Sequence, residues 1–461
     1  MKWEKIVSIL PEVARPTQKR LSFKEKIKWT GLILLVFFIL SEIPLFGLGA
    51  NALEQFEYLS IILGTKFGSI ISLGIGPIVV ASIILQLLQG SGILNMNTNT
   101  HEGRSKFQAL QRIVTIFFIL FEAFIYVFMG GLAPATELAG TSTYMYLQMF
   151  LVAQLFVGGF LIVLMDEVIQ KWGFGSGVGL FIAGGVASQI FVKAFNPLPN
   201  PMNPALPAGK IPELVISLQQ GNPLGALIIL ISVIATIVVF LISVYGQSMK
   251  VEIPLSFGRV RGMGMRWPLQ FIYTSNIPVI LISALLANIQ LWGRLLQNWG
   301  LPLLGTYEGQ VPVSGLVKWI QSPDIVRSLV TGSFTGNLAF QALIYLCIMV
   351  IGAVIFATLW VKTSNMDARS QAEKLLSSGL QIPGFRRDPR VLEKILNRYI
   401  PPLTVMGAIF VGVLASMADL MGALARGTGI LLTVMILYKL YQEISKQYAM
   451  DMHPALRKIL E

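Results

Sequence analysis

Cysteine, histidine and charged residues are all scarce in this chain of 461 residues. The single cysteine, Cys347, lies inside an apolar run, which excludes a disulfide framework and a cysteine-based metal site. The two histidines, His101 and His453, are too far apart in sequence to suggest a site. Charged residues make up 13% of the chain, whereas soluble domains usually carry about 25%. So few charges exclude a soluble globular protein.

Apolar residues, in contrast, make up 54% of the chain. One transmembrane helix needs about 20 such residues, so the supply covers roughly ten spans. Ten segments of spanning length are found at Lys28–Phe46, Gly74–Gln89, Lys106–Gly130, Tyr144–Met165, Gly173–Lys193, Asn222–Gln247, Phe271–Trp292, Leu338–Val361, Pro401–Ala418 and Leu424–Tyr441. The predicted fold is an all-α polytopic membrane protein.

The basic residues predict the orientation of these spans. Ten spans place both ends of the chain on one side. The opposite side then holds only seven of the 35 Lys and Arg residues, namely Lys66, Lys193, Lys210, Arg294, Lys318, Arg327 and Arg426. Because cytoplasmic loops carry the excess of Lys and Arg, both termini are predicted to be cytoplasmic.

Three stretches outside the spans are unusual. Trp3, Ile6, Val7 and Leu10 have helical spacing and predict a short interfacial helix. The external stretch Asn196–Pro212 contains six prolines and predicts an irregular loop. Ala50–Ser72 is half apolar but too short and polar to span, so it forms either an interfacial hairpin or a segment that folds back into the bundle.

The two halves of the chain share local patterns at matching positions. Pro77–Ser82 in the second span resembles Pro278–Ser283 in the seventh, and Gly175–Val178 resembles Gly427–Ile430 at the heads of the fifth and tenth spans. Five spans per half is an odd number, so the halves insert with opposite topology. Inverted repeats place a functional path at their interface, near the middle of the bilayer.

Residues that would support catalysis or ion coupling are few. Only Glu122 lies deep in a span, while Glu42, Asp166, Glu167 and Asp419 lie near span ends, where they can be solvated or cap helices. The sequence contains neither a phosphate-binding G-x-x-x-x-G-K-[ST] loop nor an H-E-x-x-H motif. We therefore expect no catalytic residues, no cofactor and no metal site.

Two loops on the side of the termini are strongly basic. The sixth loop contains Arg259, Arg261 and Arg266 among glycines, which predicts a basic finger. In the eighth, Asp388 and Pro389 suit the N-cap and first position of a helix that carries further basic residues. These loops either contact lipid headgroups or bind a polyanion such as ribosomal RNA.

Six ordered stretches identify a resemblance to the SecY family, the central subunit of the protein-conducting channel, called Sec61α in the endoplasmic reticulum. The stretches run from the second span to the tenth and look most similar to archaeal members. They are Leu73–Val79, Gly175–Ile182, Val251–Leu255, Tyr273–Ile280, Asn397–Pro402 and Gly427–Leu432.

This resemblance implies two pseudo-symmetric five-helix halves around an hourglass pore. The implied pore ring is Ile75, Val79, Val178, Ile182, Ile280 and Leu432. The implied plug, which seals the outer funnel, lies at 50–67 and includes Leu53, Phe56, Leu59, Ile62 and Leu63. A lateral gate between the second and seventh spans, with help from the third and eighth, would include Gln86, Asn276 and Asn288.

The resemblance also implies partners and a location. Arg259, Arg261, Arg386 and Arg387 would dock the ribosome. The small membrane subunits SecE and SecG or Secβ would bind the channel, and a nascent polypeptide with a signal sequence would enter it. The expected location is the plasma membrane. The expected function is a passive channel for unfolded polypeptide, driven by the ribosome or another motor, and the alternative is an inverted-repeat transporter of a small solute.

The expected organisation follows from these assignments. Residues 1–27 form a cytoplasmic segment, 28–193 the first five-helix half, and 194–221 the external proline-rich loop. Residues 222–441 form the second half, with cytoplasmic loops at 248–270 and 362–400, and 442–461 form a cytoplasmic tail.

Overall fold

The first long helix begins at Phe23 because Ser22 caps it. In this computed structural model the Ser22 hydroxyl accepts a hydrogen bond from the Glu25 amide, and the Glu25 carboxylate accepts one from the Ser22 amide. This reciprocal pair satisfies two donors that the first turn would leave free. The structure describes residues 12–18, 21–49, 68–90, 93–94, 100–200, 203–257, 264–274, 277–308, 311–377, 380–381 and 388–452.

Ten long helices lie within these described ranges, one for each predicted span and in the predicted order. They are α1 (Phe23–Glu42), α2 (Gly76–Gly90), α3 (His101–Phe128), α4 (Ser142–Trp172), α5 (Gly177–Phe195), α7 (Pro223–Ser248), α8 (Ile277–Asn298), α11 (Gly336–Thr363), α13 (Pro389–Leu420) and α14 (Gly427–Met452). The predicted ten-helix fold is confirmed.

Shorter elements connect the long helices. The helices are α6 (Lys210–Gln219), α9 (Gly315–Trp319), α10 (Ile325–Val330), α12 (Ala368–Ser377) and a 3₁₀ turn at Thr136–Leu138. The strands are β1 (Pro199–Asn200), β2 (Asn203–Pro207), β3 (Lys250–Phe257), β4 (Gly264–Gln270), β5 (Tyr307–Glu308), β6 (Val311–Pro312) and β7 (Leu380–Gln381). The predicted irregular loop at Asn196–Pro212 thus includes the short β1–β2 hairpin.

Seven of the long helices in the described residues are long and apolar enough to cross a membrane by length and composition, namely α3, α4, α5, α7, α8, α11 and α13. Helix α2, in the second predicted span, is apolar but has only 15 residues. Helix α1 carries Glu25, Lys26 and Lys28 in its first two turns, which lower its average hydropathy. The chain is a multi-pass membrane protein.

The start of the first long helix and the end of the last lie on the same face of the bundle. Phe23, at the start of α1, contacts Tyr448, near the end of α14, with ring centroids 5.7 Å apart. The Lys26 ammonium donates a hydrogen bond to the Gln447 side chain at 2.9 Å. We call this side the terminal face and the opposite side the distal face.

The two halves meet along two seams. Helices α1–α5 form the first half, and α7, α8, α11, α13 and α14 form the second. Helix α5 packs against α14 at one seam, while α2 packs against α8 and α11 at the other. One apolar core joins residues from both halves, including Phe37, Phe181, Leu281 and Leu431. The interface between the halves is therefore the centre of the molecule.

A small folded unit occupies the terminal face of the second half. Strands β4, β3 and β7 form an antiparallel sheet in that order, and α12 and the start of α13 pack against it. The unit has its own core, which includes Ile253, Leu269, Ala372, Leu392 and Leu396. The sixth loop, predicted to be a basic finger, and the eighth, predicted to contain a capped basic helix, therefore share one core.

Helix α13 differs from the sequence prediction at its start. The sequence predicts a basic helix that begins at Pro389 and a separate span that begins at Pro401. The structure has one continuous helix from Pro389 to Leu420, with Pro401 and Pro402 inside it. The predicted cap is confirmed, since the Asp388 carboxylate accepts a hydrogen bond from the Arg390 amide at 2.9 Å.

The segment between α1 and α2 begins and ends at the same point. The Ile43 carbonyl accepts a hydrogen bond from the Ile70 amide at 3.0 Å, and the Gly68 carbonyl accepts one from the Leu45 amide at 2.8 Å. The implied plug at 50–67 and the interfacial helix predicted at Trp3–Leu10 lie outside the described residues. Both alternatives predicted for Ala50–Ser72, an interfacial hairpin or a segment that folds back into the bundle, are compatible with these paired ends.

Candidate functional site

The six residues of the implied pore ring come together in the central core. They come from the residue before α2 and the first turn of that helix, from the first two turns of α5, from the first turn of α8, and from the second turn of α14. Ile75, Val79, Ile182 and Leu432 are buried in one apolar cluster, and Val178 and Ile280 are half-buried against it. Both halves of the chain therefore contribute to the apolar cluster at the implied constriction.

An open chamber of about 690 Å³ lies on the terminal side of this constriction. Val79, Val178 and Ile280 line the chamber where it meets the ring. Polar and charged side chains also line it, namely Lys26, Ser82, Gln86, Gln111, Asp166, Gln170, Ser176, Lys439 and Glu443. Apolar side chains such as Trp360 and Leu440 lie among them, so the chamber has a mixed lining.

Two buried carboxylates hold the helices that carry half of the ring. The Asp166 carboxylate, near the end of α4, accepts a hydrogen bond from the Val178 amide at 2.9 Å. The Asp419 carboxylate, near the end of α13, accepts one from the Gly427 amide at 2.6 Å. Each anion satisfies a free amide at a helix N-terminus, where negative charge is favoured.

These two contacts are equivalent in the two repeats. Each acid lies near the end of the helix that directly precedes the helix it caps. In the first half these are α4 and α5, and in the second half they are α13 and α14. The helix-capping interpretation of both acids is therefore confirmed for Asp166 and Asp419. The signal in the sequence that relates the two acids is the Gly-[ST]-Gly motif, which follows Asp166 at Gly175–Gly177 and Asp419 at Gly427–Gly429.

The seam between α2, α3 and α8 contains a second, smaller cavity. It has a volume of about 250 Å³ and is lined mainly by apolar and aromatic side chains, with Glu122 and Asn288 among them. Phe121 of α3 and Trp292 of α8 close it, with ring centroids 6.1 Å apart. Sequence reasoning missed this aromatic pair, because neither residue stands out in an apolar helix.

The implied gate residues lie in different parts of this region. Asn288 lines the seam cavity, and its side-chain amide donates a hydrogen bond to the Ala284 carbonyl at 2.8 Å. Gln86 lines the chamber. Asn276 lies outside the described residues. A hydrogen bond from Gln111 to the Ser82 hydroxyl at 2.8 Å joins α3 to α2, which makes these two helices one side of the seam.

The N-terminal segment is fastened to the same face by ion pairs. Lys171 lies 2.7 Å from Glu12 and 2.8 Å from Glu167, which also pairs with Arg112 of α3. The hydrogen bond from Lys171 lowers the pKa of the Glu12 carboxyl. Glu12 and Glu167 are thus both paired with basic side chains. Within the described ranges, no group of three or more His, Cys, Asp or Glu residues could hold a metal ion.

The basic residues implied in docking flank the terminal-face sheet. Arg259 and Arg261 lie between β3 and β4, and Arg386 and Arg387 lie between β7 and α13, all outside the described residues. Their anchor points are adjacent, because Phe257 at the end of β3 pairs with Leu380 at the start of β7. Both basic segments therefore leave from the same sheet.

Comparison with known proteins agrees with this architecture. The SecY family profile matches residues 69–441, and the profile of the plug domain of Sec61p matches residues 35–68. The protein translocase subunit SecY of Methanothermobacter thermautotrophicus is 47% identical over 463 residues, covering 100% of this chain and 98% of the relative. The same subunit of Methanocaldococcus jannaschii is 40% identical, covering 99% of this chain and 98% of the relative.

Solved structures agree as well. One described as the structure of a protein conducting channel superposes with a TM-score of 0.82 at 40% identity, covering 98% of both chains. Sec61 in the canine ribosome-channel complex from the endoplasmic reticulum superposes with a TM-score of 0.80 at 38% identity, again covering 98% of both. With this profile match, these full-length relatives and the two-half architecture, the chain belongs to the SecY family.

Proposed function

We propose that this chain forms the channel of a protein translocase in the plasma membrane, with both termini in the cytoplasm. It conducts unfolded polypeptides across the bilayer and releases membrane segments sideways into lipid. The observation that carries this proposal is that the six aliphatic ring positions, contributed by both halves, belong to one apolar cluster beside an open chamber. The resemblance to protein-conducting channels supports the same conclusion.

The chemistry of the ring suits a polypeptide better than a small polar solute. A narrow apolar constriction resists wetting and blocks ions, yet its branched side chains can rearrange around a passing chain. A small-solute transporter needs polar groups at its midplane site. The ring positions are all aliphatic, and nothing in the comparisons supports the transporter alternative.

The seam between α2–α3 and α8–α11 is the proposed lateral gate. Its faces meet through apolar contacts such as the Phe121–Trp292 pair, which can separate without breaking buried ion pairs. Asn288 and Glu122 place polar atoms at this seam. Gln86, which lines the chamber, and Asn276 are proposed as further gate residues. The plug at 50–67 is proposed to close the distal funnel when no polypeptide is present.

A disulfide cross-link tests the channel proposal. In a Cys347→Ser background, Ile280→Cys is combined with a ribosome-stalled secretory chain that carries one cysteine. We expect a cross-link that depends on a functional signal sequence, because the polypeptide must pass the ring. The control is Leu437→Cys, an exposed position on α14. If Ile280→Cys cross-links no more than this control with ribosomes bound, the ring assignment is wrong.

The paired basic segments are proposed to bind the ribosome. Arg259 and Arg261 follow β3 in the sequence, and Arg386 and Arg387 follow β7, two strands that pair with each other. Arginines that act together bind RNA phosphates strongly. A related Sec61 is described in a complex with the ribosome. The small subunits SecE and SecG or Secβ are proposed as further partners in the membrane.

Charge reversal at Arg386 and Arg387 is expected to weaken ribosome binding. Each phosphate contact that is lost should also flatten the slope of log affinity against log salt by about one unit. Affinity is measured over a salt series. The control is Arg369→Glu, which reverses an exposed arginine on α12 of the same unit. Equal affinity of the double variant and the control at every salt concentration would show that these arginines only contact lipid.

A further inference from the structure

The chain that leaves α8 on the distal face forms an exposed apolar protrusion. Trp299 is 60% exposed, Leu301 54% and Leu303 79%. No charged residue occurs in the sequence between Arg294 and Glu308. Three large apolar side chains in one short turn require an explanation, because a water-facing loop would carry polar residues.

The protrusion is built rigidly onto the end of α8. The Leu301 amide donates a hydrogen bond to the Leu296 carbonyl at 2.9 Å. Beyond the turn, the Gln297 side chain binds both backbone groups of Tyr307, accepting from its amide at 2.6 Å and donating to its carbonyl at 2.9 Å. The backbone on both sides of the turn is thus fixed, and the exposed side chains keep their positions.

The protrusion is also joined to the short helix α9. The Leu304 carbonyl accepts a hydrogen bond from the Val317 amide at 3.1 Å. Gly305 lies so close to the Ser314 carbonyl that a Cβ there would be 2.1 Å from its oxygen. Leu316, the neighbour of Val317, is itself 50% exposed. The turn and α9 therefore present one fixed apolar surface.

This surface continues into the lipid-facing side of α11. Trp319, at the end of α9, contacts Phe340 of α11 with ring centroids 5.8 Å apart. Phe340 begins an exposed apolar stripe on α11 that continues through Leu343, Ile351 and Ile355. In a multi-pass membrane protein such a stripe faces acyl chains, and aromatic residues mark its interface with water.

We propose that Trp299, Leu301, Leu303 and Leu316 form an interfacial wedge that inserts into the distal leaflet of the bilayer. The partner is lipid, because the wedge lacks charge, carries tryptophan and joins an existing lipid-facing surface. Its consequence is mechanical. The wedge holds the distal end of α8, a helix of the seam, at a fixed depth in the membrane.

Fluorescence quenching by brominated lipid tests the wedge without any need for translocation. In the full-length Cys347→Ser protein, Leu303→Cys is labelled with the fluorophore NBD and reconstituted into phosphatidylcholine vesicles. Separate vesicles contain lipid brominated near the headgroup end or near the tail end of the acyl chains. The matched control is Ser333→Cys, exposed on the same distal loop. Leu316→Cys provides a second label site if the first disturbs folding.

We expect the label at position 303 to emit at shorter wavelength than the label at 333. We also expect lipid brominated near the headgroup to quench it severalfold more. Equal quenching at the two sites would overturn the proposal. A short-wavelength emission at 303 that no brominated lipid quenches would also overturn it, since it would mean that protein, such as a second copy, covers the surface.

Discussion

Replacing Leu432 by asparagine is expected to raise the ion conductance of the resting channel. Leu432, a proposed ring residue, is buried in the central apolar core, and the leucine and asparagine side chains are similar in size. A buried amide without a partner costs about 1–3 kcal/mol, which favours the entry of water. Since about 1.4 kcal/mol corresponds to a factor of ten, the wetted state should become roughly tenfold to a hundredfold more populated.

Planar-bilayer recording of the purified complex measures this conductance directly. The matched control is Leu437→Asn, which makes the same change at an exposed position of the same helix. It should leave the resting conductance unchanged. Equal leak from the two variants would mean that a general loosening of α14, rather than the ring, controls the leak.

Gly427→Ala is expected to destabilise the protein by about 3 kcal/mol, at the upper end of the range for overpacking. Gly427 is the first residue of α14, and a Cβ there would lie 2.2 Å from the carbonyl oxygen of Ala415. Neither backbone can move easily, because the Asp419 carboxylate already binds the Gly427 amide. The added methyl group must therefore separate α13 from α14.

The matched control is Gly336→Ala, at the first residue of α11, where a Cβ would meet nothing within 4 Å. Its effect should be small or slightly stabilising, since alanine favours helix by about 1 kcal/mol over glycine. Thermal unfolding in detergent compares the two. A loss of stability that is no greater at Gly427 than at Gly336 would contradict the close packing of α13 and α14.

The spans and the family motifs could be predicted because they depend on local features of the sequence. Apolar runs of spanning length have few alternatives to a helix in a membrane. The ring residues could be placed only through the resemblance, because Val79 or Ile280 taken alone looks like ordinary helix packing. The structure adds that all six belong to one apolar cluster, and that Val79, Val178 and Ile280 line the chamber.

The terminal-face unit could not be predicted, since its core joins segments that are more than 120 residues apart. Ile253 and Leu269 pack with Leu392 and Leu396, and no local pattern shows that these residues meet. The continuous α13 was missed for a different reason. Proline removes a helical hydrogen bond and usually ends a helix. Here Ile400 and Leu403, on either side of Pro401 and Pro402, are both buried in the same core, which holds the helix together.

The two carboxylate caps tie the ring helices to neighbours that end on opposite sides of the bundle. Asp166 joins the start of α5 to the part of α4 nearest the terminal face, and Asp419 joins the start of α14 to the part of α13 nearest the distal face. We expect Val178 and Ile182 to follow the depth of α4 in the membrane and Leu432 to follow that of α13. A thicker bilayer should slide these side chains past one another, so the tightness of the seal becomes a property of the host lipid as well as of the protein.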